Sequence, residues 1–184
     1  MFYLKMYSPA SQTGQLFLAI LPDADASAEI YRKAAILKRA HGFRGALTAR
    51  DRLHVTLFSL SGVPQPLIEK VCEAVQETKV QPFDVSFDRT MSFRGGPGSR
   101  PFVLTGDAGL GPLKSFRRQL AASMKRKELG FLGRREFTPH VTLLFDERAA
   151  EENPIGPIGW SVRDVVLIHS LRGHVHLAQW LLQV

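Results

Sequence analysis

A single cysteine stands in this chain, so no disulfide can close within it. That residue, Cys72, sits in LIEKVCEAVQ, a helical setting that suits a packed thiol better than a nucleophile. Such cysteine usage fits a cytoplasmic protein. No apolar run reaches the ~18 residues that a membrane-spanning helix needs, so no membrane association is expected. The opening segment, MFYLKMYSPASQTGQ, lacks an apolar stretch followed by a small-residue cleavage site, and residues 1–14 read as a loose tail rather than a signal peptide. Clustered cysteines and an HExxH run are also missing. That leaves only His174 and His176, on one face of a possible strand with His169 nearby, as a zinc-site alternative. Neither a metal nor a cofactor is expected. Acidic residues are in short supply as well: 17 against 24 Lys and Arg, for a net charge of +7. That balance favours polyanionic partners such as RNA and says nothing about the fold.

What the chain does contain is the tetrapeptide His-Val-Thr-Leu twice, at His54–Leu57 and at His140–Leu143. A second chance copy would turn up in roughly one chain of this size in several hundred. Each copy lies in an apolar, β-branched run, RLHVTLFSL at 52–60 and TPHVTLLFD at 138–146, which reads as a strand. On a strand His54 and Thr56 share one face, and His140 and Thr142 repeat the arrangement. A titratable ring and a hydroxyl side by side on a rigid element, present in duplicate, suggest a two-sided site.

Around these motifs the pattern alternates. QLFLAIL (15–21) is a strand, and Asp23 and Gly42 bracket a helix at 23–41. After the first motif, Leu67, Val71 and Val75 form a helical stripe. PFDVSFDRTMSF (82–93) and RPFVLTGD (100–107) read as a hairpin joined by RGGPGS. A helix at 109–129 turns Leu113, Phe116, Leu120 and Met124 inward. Lys114, Arg117, Arg118, Lys125, Arg126 and Lys127 read as its solvated face. The polar, proline-bearing stretch 147–159 reads as a connection, followed by strands at 160–170 and in the closing HVHLAQWLLQV. The order predicts an α+β fold with mixed or antiparallel sheets, in which a strand–helix–His-strand unit appears in each half. Residues 15–184 form one domain of two facing lobes.

Two histidines on opposite sides of a scissile phosphorus can take a proton from the nucleophile and give one to the leaving oxygen, because both protonation states are populated near neutrality. Each threonine hydroxyl can donate to a phosphoryl oxygen. This scheme requires no metal.

The doubled HVTL resembles the paired His-x-Thr-x motifs of the two-histidine (2H) phosphoesterases. More specifically, it is similar to the LigT-like RNA 2′,3′-cyclic phosphodiesterase and 2′-5′ RNA ligase group. LFLAILPD, RLHVTLFSLSG, SFRGGPGSRPFVLTGD, FTPHVTLLFD and HVHLAQWLL extend the likeness over most of the chain. The resemblance implies a bilobal, pseudo-symmetric fold with flanking helices around a central cleft, each lobe contributing one motif. It implies metal-independent opening of a 2′,3′-cyclic phosphate on RNA or a nucleotide to a 2′-phosphate by a monomer, with reversible 2′-5′ RNA ligation as a further reaction. It also implies one histidine as base and one as acid: His140 is assigned to activate water and His54 to protonate the ribose 3′-oxygen, with the reverse assignment left open. The group often carries an arginine shortly after the second motif; here Leu144, Phe145, Asp146 and Glu147 come first, before Arg148. Arg94 or Arg100 on the hairpin could supply the missing phosphate contact, and Phe17 could stack on a base. Two other readings stay open: a basic RNA-binding module without turnover, and the same chemistry on another small cyclic phosphate, such as one derived from ADP-ribose.

Overall fold

Eight strands and three helices make up the computed structural model, which describes residues 14–96, 99–133, 136–171 and 173–183. The expected tail falls almost wholly outside the described residues. In chain order the elements are β1 (Gln15–Ile20), α1 (Ala24–His41), β2 (Val55–Ser59), α2 (Gln65–Glu77), β3 (Phe83–Ser92), β4 (Arg100–Thr105), α3 (Gly111–Arg126), β5 (Val141–Asp146), β6 (Asn153–Val162), β7 (Asp164–Ser170) and β8 (His174–Leu181). Local chemistry sets the limits of α1. The Asp23 carboxylate accepts from the Ala26 N–H at 2.8 Å, and Gly42 closes the helix in the left-handed region at φ 65°. No helix among the described residues is long and apolar enough to cross a membrane.

The strands form two four-stranded sheets, ordered β2-β1-β7-β8 and β5-β4-β3-β6, with every neighbouring pair antiparallel. The mixed-or-antiparallel expectation thus resolves to antiparallel. Both motif strands, β2 and β5, lie at sheet edges. Each pairs with the strand that precedes its crossover helix, so β1–α1–β2 and β4–α3–β5 are equivalent units. The equivalence extends to single residues. Thr56 pairs with Ala19 and Phe58 with Leu18, leaving Leu57 extra; Thr142 pairs with Val103 and Leu144 with Phe102, leaving Leu143 extra. The leucine of each HVTL is therefore a bulged residue, and strict alternation of faces stops there.

An edge strand leaves backbone groups unpaired, and the two lobes cover theirs differently. The Leu143 carbonyl accepts the Thr48 N–H at 2.8 Å, whereas the Leu57 carbonyl accepts Nε of Arg117 at 2.8 Å.

Two expectations are corrected. The proline-bearing stretch read as a connection contains most of β6, which pairs with β3 from Phe83–Val162 through Thr90–Asn153. Pro154 and Pro157 are tolerated because β6 is an edge strand, where a missing N–H need break no ladder. The segment 160–170, read as one strand, is divided at Arg163: its first part ends β6 in one sheet and the rest is β7 in the other. A single cluster of buried side chains, including Leu18, Ile30, Val71, Phe87, Phe102, Phe116 and Leu167, binds both sheets and all three helices into one core.

Candidate active site

Each histidine stands one residue before its strand, so the backbone arriving at the edge aims it. The Nδ1 of His54 lies 2.8 Å from the carbonyl oxygen of Arg52, and the Nδ1 of His140 lies 2.8 Å from that of Thr138. A carbonyl only accepts, so Nδ1 carries the proton in both rings. Nε2 is then the atom left to exchange a proton with a substrate. Both histidines and both motif threonines are half-buried. Thr56 and His140 line the same cleft, of about 510 Å³, while His54 and Thr142 are not among its lining residues.

The surroundings of the two rings differ. His54 stacks on Phe17, with centroids 4.7 Å apart and planes 23° apart, and His174 stands edge-on to His54 at 5.0 Å. Burial holds His54 below the ordinary histidine pKa; its bond to the Arg52 carbonyl opposes this, and the charges of His140 and Arg52 add to the lowering. Burial likewise pushes His174 down to about 4, so it is neutral at physiological pH. His140 instead meets the edge of Phe93, at 5.0 Å.

The other residues singled out from the sequence are distributed as follows. Phe17, offered as a base-stacking ring, is 5% exposed and lies against His54. Arg94 and Arg100 are exposed at the β3–β4 hairpin, where Phe93, next to Arg94, touches His140. Arg148 donates through Nη1 to the Gly42 carbonyl and lines a separate cleft with Arg44 and Phe145. His174 belongs to the ring cluster around His54, and no group of three or more potential metal ligands occurs among the described residues.

Arg117 departs from its expected place. It is 7% exposed, its guanidinium lies 3.5 Å above the Phe58 ring, and it lines the cleft shared by Thr56 and His140. A signal was available: 113, 117, 120 and 124 follow helical spacing, so Arg117 falls on the buried stripe itself. His174 was singled out from the sequence only as a metal ligand and Phe93 not at all, since only tertiary pairing brings them to the motif histidines.

Comparison with known proteins agrees with this architecture. The sequence pattern of the 2′-5′ RNA ligase superfamily matches residues 22–174. A protein of Archaeoglobus fulgidus named RNA 2′,3′-cyclic phosphodiesterase is 33% identical over 143 residues, covering 76% of this chain and 75% of that protein. Among solved structures, one described as a phosphoesterase superposes with a TM-score of 0.73 at 22% identity, covering 93% of this chain and 99% of the other. E. coli LigT in its apo form gives 0.69 at 25% identity, covering 95% and 100%. With two antiparallel sheets, a histidine–threonine motif at the edge of each, and a sequence match over most of its length, the chain belongs to the 2′-5′ RNA ligase superfamily.

Proposed function

We propose that this protein opens 2′,3′-cyclic phosphates, on RNA termini or nucleotides, to 2′-phosphates by acid–base catalysis between His54 and His140. The observation that carries this reading is the repeated histidine geometry: one ring per lobe, each held by a 2.8 Å contact from Nδ1 to the carbonyl two residues before it. The name of the Archaeoglobus fulgidus relative, RNA 2′,3′-cyclic phosphodiesterase, supports the same reaction class.

In this scheme the Nε2 of His140 takes a proton from water as its oxygen attacks phosphorus. The bond from phosphorus to the ribose 3′-oxygen breaks, and Nε2–H of His54 protonates that oxygen, leaving a 2′-phosphate. Thr56 and Thr142 donate to the non-bridging oxygens, where negative charge concentrates. The depressed pKa of His54 makes it a willing proton donor, and the anionic cyclic phosphate favours its protonated form on arrival. Run backwards, the 3′-oxygen attacks the 2′-phosphate and water leaves, with the two roles exchanged; a 5′-hydroxyl taking the place of water in the forward step gives a 2′-5′ linkage instead. One chain carries both motifs, which supports action as a monomer, and the lone cysteine supports a cytoplasmic setting. No step calls for a metal.

The test is hydrolysis of nucleoside 2′,3′-cyclic phosphates after exhaustive chelation, by wild type, His54→Ala and His140→Ala, with the product isomer identified. Turnover to the 2′-phosphate that each substitution lowers by about 10²-fold or more is the expected result. A folded wild type that opens none of these substrates overturns the proposal.

A further inference from the structure

The Leu57 carbonyl at the open edge of β2 is covered by Arg117, while its counterpart, the Leu143 carbonyl, is covered by an ordinary backbone N–H. Covering the edge therefore requires a donor but no charge, and the charge of Arg117 needs another explanation. Burying a guanidinium is costly unless it is paired. Here it stacks on Phe58 at 3.5 Å and lies 5.4 Å from the centre of the Phe137 ring, but no carboxylate among the described residues is within ion-pair distance. Burial lowers its pKa to about 10, which leaves it positive at neutral pH.

That cation lines the wall of the cleft that Thr56 and His140 share. Its Nε is engaged by Leu57, the residue after Thr56, and the two terminal nitrogens are the pair with which arginine grips a phosphate bidentately. The same wall carries Phe137 and Phe131, the latter 45% exposed, as apolar surface for a nucleoside. Glu136 is the one carboxylate among the lining residues.

Resting on the cyclic phosphodiesterase reading above, the geometry points to a second phosphate subsite at Arg117, which takes the phosphate on the 5′ side of the nucleotide being opened. With the cyclic phosphate between the two motifs, the chain leading to it places its next phosphate one nucleotide away. Arg117 holds the carbonyl of the residue that follows Thr56 and lines the cleft together with Thr56 and His140. The subsite makes the end of an RNA, or a nucleotide bearing a 5′-phosphate, a better substrate than a bare nucleoside cyclic phosphate.

The test compares kcat/KM for adenosine 2′,3′-cyclic phosphate with and without a 5′-phosphate. Wild type prefers the 5′-phosphorylated substrate by about tenfold or more, as for hydrogen bonds to a charged group. Arg117→Gln removes the preference, and Arg117→Lys, which keeps the charge without the fork, retains part of it. Glu136→Gln, at an exposed position, strengthens the preference by removing a like charge from the cleft. Equal use of both substrates by wild type, or a preference that survives Arg117→Gln, overturns the subsite and leaves the cyclic phosphodiesterase reading intact. If Arg117→Gln does not fold, an unchanged preference in Glu136→Gln overturns it instead. Failure to open either substrate defeats the underlying reading.

Discussion

Phe17, on β1, and His54, one residue before β2, lie face to face, 4.7 Å between ring centroids and 23° between planes. His174 closes the arrangement edge-on, 5.6 Å from Phe17 and 5.0 Å from His54. This box of rings accounts for the different setting of the two motif histidines. It shields His54 from water, and burial is the largest cause of its lowered pKa.

Opening one side of that box should therefore move the pH dependence. In Phe17→Leu the His54 pKa rises towards the ordinary 6.5. If His54 is the acid, it must be protonated, so the alkaline limb of kcat/KM moves to higher pH with it. NMR titration of the histidine together with a pH–rate profile checks this. An unmoved His54 titration would mean that the ring stack is not what depresses it.

The division of labour between the histidines is separable by leaving group. Alanine at either position lowers kcat/KM for nucleoside 2′,3′-cyclic phosphates by about 10²–10⁴ or more. With catechol cyclic phosphate, whose phenolate departs without a proton, His54→Ala loses far less than His140→Ala. The opposite ranking would exchange acid and base.

Acid stability is set in part by the same cluster. In the fold, His174 has its pKa pushed down to about 4, against about 6.5 unfolded. Its stabilising contribution is full above pH 6.5 and is lost as pH falls towards 4, because the unfolded chain then binds the extra proton. Tm should decline over that window in wild type and decline less in His174→Phe. Parallel curves would remove His174 from the explanation.

At the far end of β5 the Asp146 carboxylate accepts N–H groups from Arg44 at 2.6 Å, Gly45 at 2.7 Å and Arg148 at 2.9 Å. These bonds, that of Arg148 first, hold its pKa below the usual carboxylate value. A Cβ at Gly45 would run into the carbonyl oxygen of Phe145. Gly45→Ala should cost about 3 kcal/mol or more, as overpacking against backbone does, measured by urea unfolding. A loss below about 0.5 kcal/mol, the ordinary range for a surface substitution, would show that the loop is not tied to β5 in this way.

The elements with a clean period were legible in the sequence: α1 between Asp23 and Gly42, the stripe of α3, the β3–β4 hairpin and the two motif strands. What obscured β6 was its prolines and glycines, which erase alternation and are admissible only because the strand is an edge, a fact no single strand reveals. Arg117 was misplaced for a related reason: charge argued for solvent, and only contact with Phe58 and Leu57 made burial tolerable.

By itself, the sequence determined that a histidine and a threonine recur at one spacing in two strands, His54 with Thr56 and His140 with Thr142, because an identical tetrapeptide states residue type and spacing directly. It could not determine what surrounds each ring. That was decided by the stacking of Phe17 on His54, by the β7–β8 ribbon that delivers His174, and by the helix that brings Arg117 to the edge of β2. These contacts join residues far apart in the chain, and they exist only once the two sheets share one core.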